Sequence, residues 1–441
     1  MTDTTSVKQY LLRGGAWAFT GKVTTALMGL ALSGILARML APEEMGAYFL
    51  ALNLATFFSI LARLGLENTL LRFISEAMGH DDAGRAREVI RKGLVLASGG
   101  ASITAVVVFL GAGPWLAEHL FHSKALGVVI GFVAIWVMLL AFQFLVGEIF
   151  RAFQDIRSAA LFGGVITATA TVSFLAIFQA IHGYSTLAQA MPLVLVAGAI
   201  NLALAGWILK RKVAAYPTVS GDGRRVTYRE LAGHSWPLLL NAVTLFVIAQ
   251  SDLWILAAFR PDEEVAIYGA AARLVLVAGM ALSIVNAVVP PVIARMNSQG
   301  CKRDLERILR LMATLSAGPA IVVLATFVIS GNAVLGFIFG DCYRAGAAVL
   351  AILSLGQVLN VFVGSCGYVL ILGGFQRVVL SISVGCSLLL LALGVLLVNE
   401  FGLEGLAVAA ALAGACQQIS MLFAAKNYCG VWTHVRSPLF F

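Results

Sequence analysis

Twelve stretches of this chain are apolar for about the 20 residues that an α-helix needs to cross bilayer hydrocarbon. They fall near 14–37, 45–66, 93–112, 125–148, 158–181, 187–209, 235–257, 265–289, 312–334, 345–372, 378–399 and 403–426. A bilayer core offers no water to a bare peptide group, so such segments become helices or close into a barrel. The runs are long and continuous and lack the period-two alternation of barrel strands, which leaves helices. Only 12% of the 441 residues are charged, against about 25% in a soluble domain. The expected fold is therefore an all-α polytopic membrane protein with 12 transmembrane helices. The polar opening MTDTTSVKQYLLRGG has no cleavable-signal pattern and is expected to stay as a cytoplasmic tail.

The basic residues orient the spans. With a cytoplasmic N-terminus, the tails and even-to-odd loops carry 23 of the 30 Lys and Arg. The opposite side holds only Arg38, Lys124, Arg260 and Arg344. This asymmetry places both termini in the cytoplasm. It also accounts for the net charge of +8 through loops facing anionic lipid headgroups, without a nucleic-acid partner.

The chain repeats itself. ILARMLAPEEMGAY, Ile35 to Tyr48, returns 220 residues later as ILAAFRPDEEVAIY, Ile255 to Tyr268. Further matches pair PWLAEHLF (Pro114 to Phe121) with AVLGFIFG (Ala333 to Gly340), and Phe153-Gln154 with Phe375-Gln376. The expected organisation is an N-terminal six-helix lobe over 1–213, a polar cytoplasmic linker over 214–230 and a C-terminal six-helix lobe over 231–441. An even number of spans per lobe gives both the same orientation, related by a pseudo-two-fold along the membrane normal with a cavity between them. Two charged stretches, Asp81 to Lys92 and Gly300 to Arg310, read as amphipathic helices lying on the cytoplasmic membrane face. The segment Gly113 to Leu126 reads as interfacial, with Trp115 as a headgroup anchor.

Catalytic and cofactor signatures do not emerge. There is no Walker A sequence, GxSxG, HExxH or paired catalytic carboxylate. His119 and His122 share a helical face but have no further metal ligands grouped with them. The six cysteines, Cys301, Cys342, Cys366, Cys386, Cys416 and Cys429, form no CxxC pair and read as small core residues. The chain is read as a non-enzyme with no cofactor.

What remains is charge inside the membrane. Lys22, Arg63 and Arg273 fall within spans, as does Asp252. A charge at the bilayer centre costs about 2.5–3.5 kcal/mol on insertion scales, so it usually faces a bundle interior or aqueous cavity. The three cations are candidates for holding an anionic head group, since guanidinium and ammonium suit phosphate oxygens. Asp252 is the candidate for ion coupling. Structural alternatives stand beside these readings. Asp252 and Arg273 lie about 8 and 12 Å from the outer ends of adjacent helices and are placed to pair. Arg63 and Glu67 are spaced i, i+4, as a local ion pair requires. Glu148 and Arg151 read as a structural i, i+3 pair at a helix end.

These residues resemble the polysaccharide transporter family, the O-antigen and lipid-linked oligosaccharide flippases of the multidrug/oligosaccharidyl-lipid/polysaccharide exporter superfamily. The resemblance rests on ILARMLAPEEMGAYFLAL and LGLENTLLRFISEA, which carry Arg38, Pro42, Glu43, Glu44, Gly46, Tyr48, Gly65 and Arg72. It extends through SDLWILAAFRPDEEVAIYGAAARL, with Asp252, Tyr268 and Arg273, and RAFQDIRSAAL from Arg151 to Leu161. It implies a bacterial inner-membrane protein that moves an undecaprenyl-diphosphate-linked sugar unit from the cytoplasmic to the periplasmic leaflet by alternating access. A proton or Na+ gradient and partners in polysaccharide polymerisation and assembly belong to the same implication. Lys22 and Arg273 are the cations placed in that cavity. Arg63 stands where relatives often carry an acidic or neutral residue, so the resemblance assigns it no role. The competing functions are a cation-coupled drug antiporter, which would want acidic cavity residues, and a non-transporting scaffold of polysaccharide assembly, which would not need charged residues in its spans.

Overall fold

A computed structural model describes residues 4–79, 82–215, 226–298 and 302–435. All regular structure among the described residues is helical. The helices are α1 (Thr4–Met39), α2 (Pro42–Ala62), α3 (Leu66–Gly79), α4 (Ala83–Leu120), α5 (Lys124–Ala152), α6 (Ile156–His182), α7 (Leu187–Ala215), α8 (Tyr228–Phe259), α9 (Asp262–Ser298), α10 (Lys302–Phe339), α11 (Ala347–Val363), α12 (Cys366–Leu372) and α13 (Gln376–Ala424). Among the described residues, ten helical segments are long and apolar enough to cross a membrane, eleven when α8 is taken as one bent span. One of the ten, Gln376–Cys429, is 54 residues long, more than twice what a crossing needs. It breaks at Gly402, where φ is 59° and ψ is −135°. Division there gives a count consistent with the twelve spans expected from the sequence. Their outer surfaces suit lipid: Ile103, Leu110, Val128, Ile329 and Phe337 are 68–83% exposed.

The chain divides into two compact units, Met1–Ala249 and Gln250–Phe441. Their backbones repeat as their sequences do. Positive-φ residues end helices or turn the chain at His122, Gln154 and Gly183 in the first unit, and at Gly340, Gly374 and Gly402 in the second. Each pair is 218 to 220 residues apart. Gly402 is thus the counterpart of Gly183, which separates α6 from α7. Two breaks are not shared. Leu64 and Gly65 interrupt the first unit between α2 and α3, and Gly364 interrupts the second between α11 and α12.

The acidic turns start helices. Pro42 occupies the first turn of α2 together with Glu43 and Glu44, where a missing N–H costs nothing and the helix dipole favours anions. Glu44 also accepts a hydrogen bond from the Leu187 N–H at 3.2 Å, joining the starts of α2 and α7. Asp262, Glu263 and Glu264 open α9 in the same way. Burial follows: Tyr48 stacks on Trp136 of α5 at 6.2 Å, and both it and Tyr268 are buried. The first unit packs Leu66, Leu70, Ile74, Val89, Leu145, Ile149 and Leu231 in one core. The second packs Ile293, Leu305, Leu309, Val369, Leu370 and Val431.

The charged stretches differ from expectation. Asp81, Gly300 and Cys301 lie outside the described residues. From Ala83 and from Lys302, however, the stretches run without interruption into the spanning parts of α4 and α10. They are the first turns of those helices, not separate surface helices. Several of their polar groups find partners within the folded unit, although Arg85 Nε is buried without one among the described residues. Asp82 caps α4 by accepting from the Arg85 N–H at 2.9 Å, Lys92 pairs with Glu88 at 2.6 Å, and Arg310 pairs with Glu306 at 3.5 Å. The separate amphipathic helix is α3, whose Leu66, Leu70, Phe73, Ile74 and Ala77 form one buried face. The segment Gly113 to Leu120 forms the last turns of α4, with Trp115 exposed and stacked on His119 at 5.9 Å.

Between α5 and α6, Asp155 caps the new helix by accepting from the Ser158 N–H at 3.0 Å, and binds Lys212 Nζ at 2.5 Å. Burial alone would raise its pKa. The bonds from Lys212 and Ser158 outweigh burial and hold the carboxyl below its ordinary value.

Candidate functional site

In the first unit the break after α2 is built around Arg63. The residue is only 6% exposed, and a buried guanidinium has to be matched by an anion and hydrogen bonds. It meets Glu67 at 2.5 Å, donates from Nε to the Ser59 carbonyl at 3.1 Å, and covers the Phe144 ring at 4.5 Å. The i, i+4 pair anticipated from the sequence is therefore present. Glu148 belongs to the same charged neighbourhood and takes both of its bonds from Arg151, at 2.8 and 3.0 Å. Gly65, at φ 73°, lets α3 leave beside α8: a Cβ there would meet Ser235 O at 2.3 Å and Leu239 N at 2.7 Å. Ser235 Oγ donates to Thr69 Oγ1 at 2.9 Å in the same buried contact.

Lys22 sits differently. Its neighbour Gly21 packs against Ala160 of α6 so closely that a Cβ would lie 2.8 Å from the Ala160 Cβ. Lys22, one residue further round α1, is exposed.

A polar row not singled out from the sequence staples the π-helical turn Leu161–Val165 within α6. Gln143 Nε2 donates to Gly163 O at 3.2 Å, Thr167 Oγ1 donates to Gln143 Oε1 at 3.1 Å, and Asn201 Nδ2 donates to Phe162 O at 3.0 Å. Such turns release carbonyls from the helical ladder, and these side chains replace the lost donors.

In the second unit, Asp252 on α8 faces Tyr268 on α9. The phenol donates to Oδ2 at 2.9 Å, and the Leu253 N–H donates to Oδ1 at 2.9 Å. The sequence marks Tyr268 as a repeated residue within the resemblance motif; its role as the partner of Asp252 comes from the structure. Arg273 lies five residues further along α9 and is half-buried.

The break at Gly364 carries a further construction. Residues Val431–Val435 return as a strap against it. Thr433 Oγ1 donates to Val363 O at 2.7 Å, and the Val435 N–H donates to Phe362 O at 2.9 Å. Both acceptors are carbonyls that the end of α11 leaves without a helical partner. The strap is anchored by Glu306, which accepts from the Trp432 N–H at 3.2 Å, and by Arg310, whose Nε donates to the His434 carbonyl at 3.3 Å. Burial and the Arg310 guanidinium lower the His434 pKa, against an opposing pull from Glu306.

Among the described residues, no group of three His, Cys, Asp or Glu side chains is placed to hold a metal ion. The described cysteines, Cys342, Cys366, Cys386, Cys416 and Cys429, are all free thiols.

The profile of the family described as polysaccharide biosynthesis protein matches residues 11–297. No curated protein matches the sequence. Among solved structures, an inward-facing multidrug resistance MATE family transporter of the MOP superfamily aligns with TM-score 0.75 at 16% identity, covering 91% of this chain and 94% of that one. A MATE transporter from Vibrio cholerae aligns at 0.66 and 17% identity, covering 97% and 98%. A MOP superfamily transporter from Pyrococcus furiosus aligns at 0.62 and 15% identity, covering 95% of each chain. The fold is that of the MOP superfamily.

Proposed function

The chain belongs to the polysaccharide biosynthesis protein family, and from that premise we propose that it moves an undecaprenyl-diphosphate-linked oligosaccharide from the cytoplasmic to the periplasmic leaflet of a bacterial inner membrane. Both termini are cytoplasmic in this reading. Two six-helix lobes, 1–213 and 231–441, give the head group alternating access while the lipid tail stays in the bilayer. The protein replaces the hydration of sugar and diphosphate during passage.

The observation that carries the reading is the retention of Lys22, exposed, and Arg273, half-buried, within otherwise apolar spans. Cations at that depth are expensive and match the charge of a diphosphate. Arg63 has its charge met by Glu67, and its part is to hold the α2–α3 break. For the P. furiosus transporter of similar fold, a reverse polarity of the binding pocket suggests a different function.

One observation favours coupling to an ion gradient. Asp252 is an acid inside a span with a phenol as its partner. A unit charge crossing 100 mV supplies about 2.3 kcal/mol. The same residue is what a cation-coupled antiporter would use, so the two readings are separated by substrate.

The test is complementation of a flippase-deficient bacterium that makes the glycan of this protein's own locus. Wild type restores surface glycan; Arg273→Ala and Lys22→Ala, at matched expression, lose most of it, and Arg273→Lys keeps part. Failure of well-expressed wild type to restore glycan refutes the reading and favours the antiporter.

A further inference from the structure

We infer that the break between α11 and α12 is a sugar-binding wall, in which Asn286, Gln357, Ser365 and Gln418 take hydroxyl groups of the saccharide. The inference rests on the transport reading above and names the part of the head group that this surface recognises.

The break is not demanded by the repeat. Its counterpart in the first unit, α5, runs unbroken from Lys124 to Ala152. The run Asp341–Val363 before the break is already long enough to cross a membrane, so the break stands at the end of a span, where irregular backbone needs polar groups to meet it. Here the strap covers Phe362 and Val363, while Ser365 and Cys366 turn to other polar groups. Ser365 Oγ donates to Asn286 Oδ1 on α9 at 2.6 Å. Cys366 Sγ lies 3.6 Å from Gln418 Oε1 on α13. Two amides therefore flank the break from two different helices.

A third amide joins them along one seam. Gln357 precedes Gly364 by seven residues, which is two helical turns, and so shares its face. On α9, Gly279 and Asn286 have the same spacing. Gln357 crosses Gly279, where a Cβ would lie only 2.2 Å from its Nε2. The glycine makes room for the amide to lie across α9.

These groups have capacity to spare. Asn286, Gln357 and Gln418 each keep part of their surface exposed. Asn286 and Gln418 act in their bonds as acceptors. Among the described residues, the nitrogens of all three amides are unused. An amide offers two N–H donors beside its acceptor oxygen, and a sugar hydroxyl both donates and accepts. A hard cation would call for carboxylates and a phosphate for guanidinium or ammonium. This constellation is neutral, and suits the neutral, hydroxyl-rich part of the substrate.

The experiment uses the full chain in liposomes with two substrates on the same lipid diphosphate, one bearing the complete oligosaccharide and one a single sugar. Gln357→Met and Gln418→Met keep volume and remove the amide, and Asn286→Leu does the same at the break. Each should slow the oligosaccharide about tenfold, with the single-sugar lipid changed by no more than about twofold. Should Asn286→Leu unfold, Gln357→Met decides alone, because its side chain makes no hydrogen bond to the described protein. Equal slowing of both substrates, or of neither, overturns the wall and leaves flipping standing. Wild type that moves neither substrate overturns the flipping reading and the wall with it.

Discussion

Replacing Gly65 by Ala should destabilise the protein by about 2–5 kcal/mol, and the structure allows that figure to be separated into two parts. The first is conformational. Gly65 has φ 73°, and an L-residue with a Cβ costs about 1–2 kcal/mol there. The second is steric. The new Cβ would stand 2.3 Å from the Ser235 carbonyl and 2.7 Å from the Leu239 nitrogen. Both are backbone atoms of α8, so no side chain can rotate away, and overpacking of this kind costs about 1–3 kcal/mol. Two other glycines isolate the terms. Gly430 is left-handed at φ 77° and ψ 12°, and the nearest atom to its would-be Cβ is Lys302 Nζ at an ordinary 3.6 Å, so Gly430→Ala should lose only the conformational part. Gly29 lies inside α1 with an open surround, and Gly29→Ala should be neutral or stabilising by up to about 1 kcal/mol. Thermal unfolding of the three purified variants in one detergent gives the ranking. Gly65→Ala should melt lowest, Gly430→Ala between it and wild type, and Gly29→Ala at or above wild type. If Gly65→Ala melts with Gly430→Ala, the seating of α8 on the α2–α3 break contributes nothing and the steric argument is wrong.

Arg63→Ala should cost about 3–5 kcal/mol by leaving Glu67 uncompensated in a covered site, and Arg63→Ala/Glu67→Gln should recover part of it; equal melting of the single and double variants would count against the pair. Asp155 has a folded pKa below its ordinary value, so its contribution is complete above about pH 4 and disappears as pH falls through the folded value. Unfolding curves of wild type and Asp155→Asn measured downward from pH 6 should therefore converge in acid, and a constant gap would contradict the assignment. Thr433→Val removes the donor to the Val363 carbonyl and should lower stability by about 1 kcal/mol, checked by the same unfolding measurement; an unchanged melting point would mean that the strap does not cap the break.

Much of the frame was legible because a bilayer leaves so few solutions. Continuous apolar runs named the spans, and the PEE and DEE turns, which start α2 and α9, disclosed the duplication. Local ion pairs such as Arg63 with Glu67 followed from helical spacing alone. The breaks were less legible. Hydropathy reads straight through 345–372, since one glycine among apolar residues looks like a packing contact, and the strap that supports Gly364 arrives from residues far along the chain. The charged stretches before α4 and α10 misled for the opposite reason. Their charge density resembles a surface helix, whereas Asp82 capping and the Lys92–Glu88 and Arg310–Glu306 pairs allow them to continue a span. Tyr268 could be seen as a repeated aromatic, but its approach to Asp252 depends on how α8 and α9 pack, which no spacing rule supplies.

The strap also sets an order of assembly. Residues Val431–Val435 come after α13 in the chain, so α11 is made before the groups that cap the Phe362 and Val363 carbonyls exist. Until the strap docks, those two carbonyls lack their donors, and a chain cut after Gly430 would keep α11 and α13 while losing both caps.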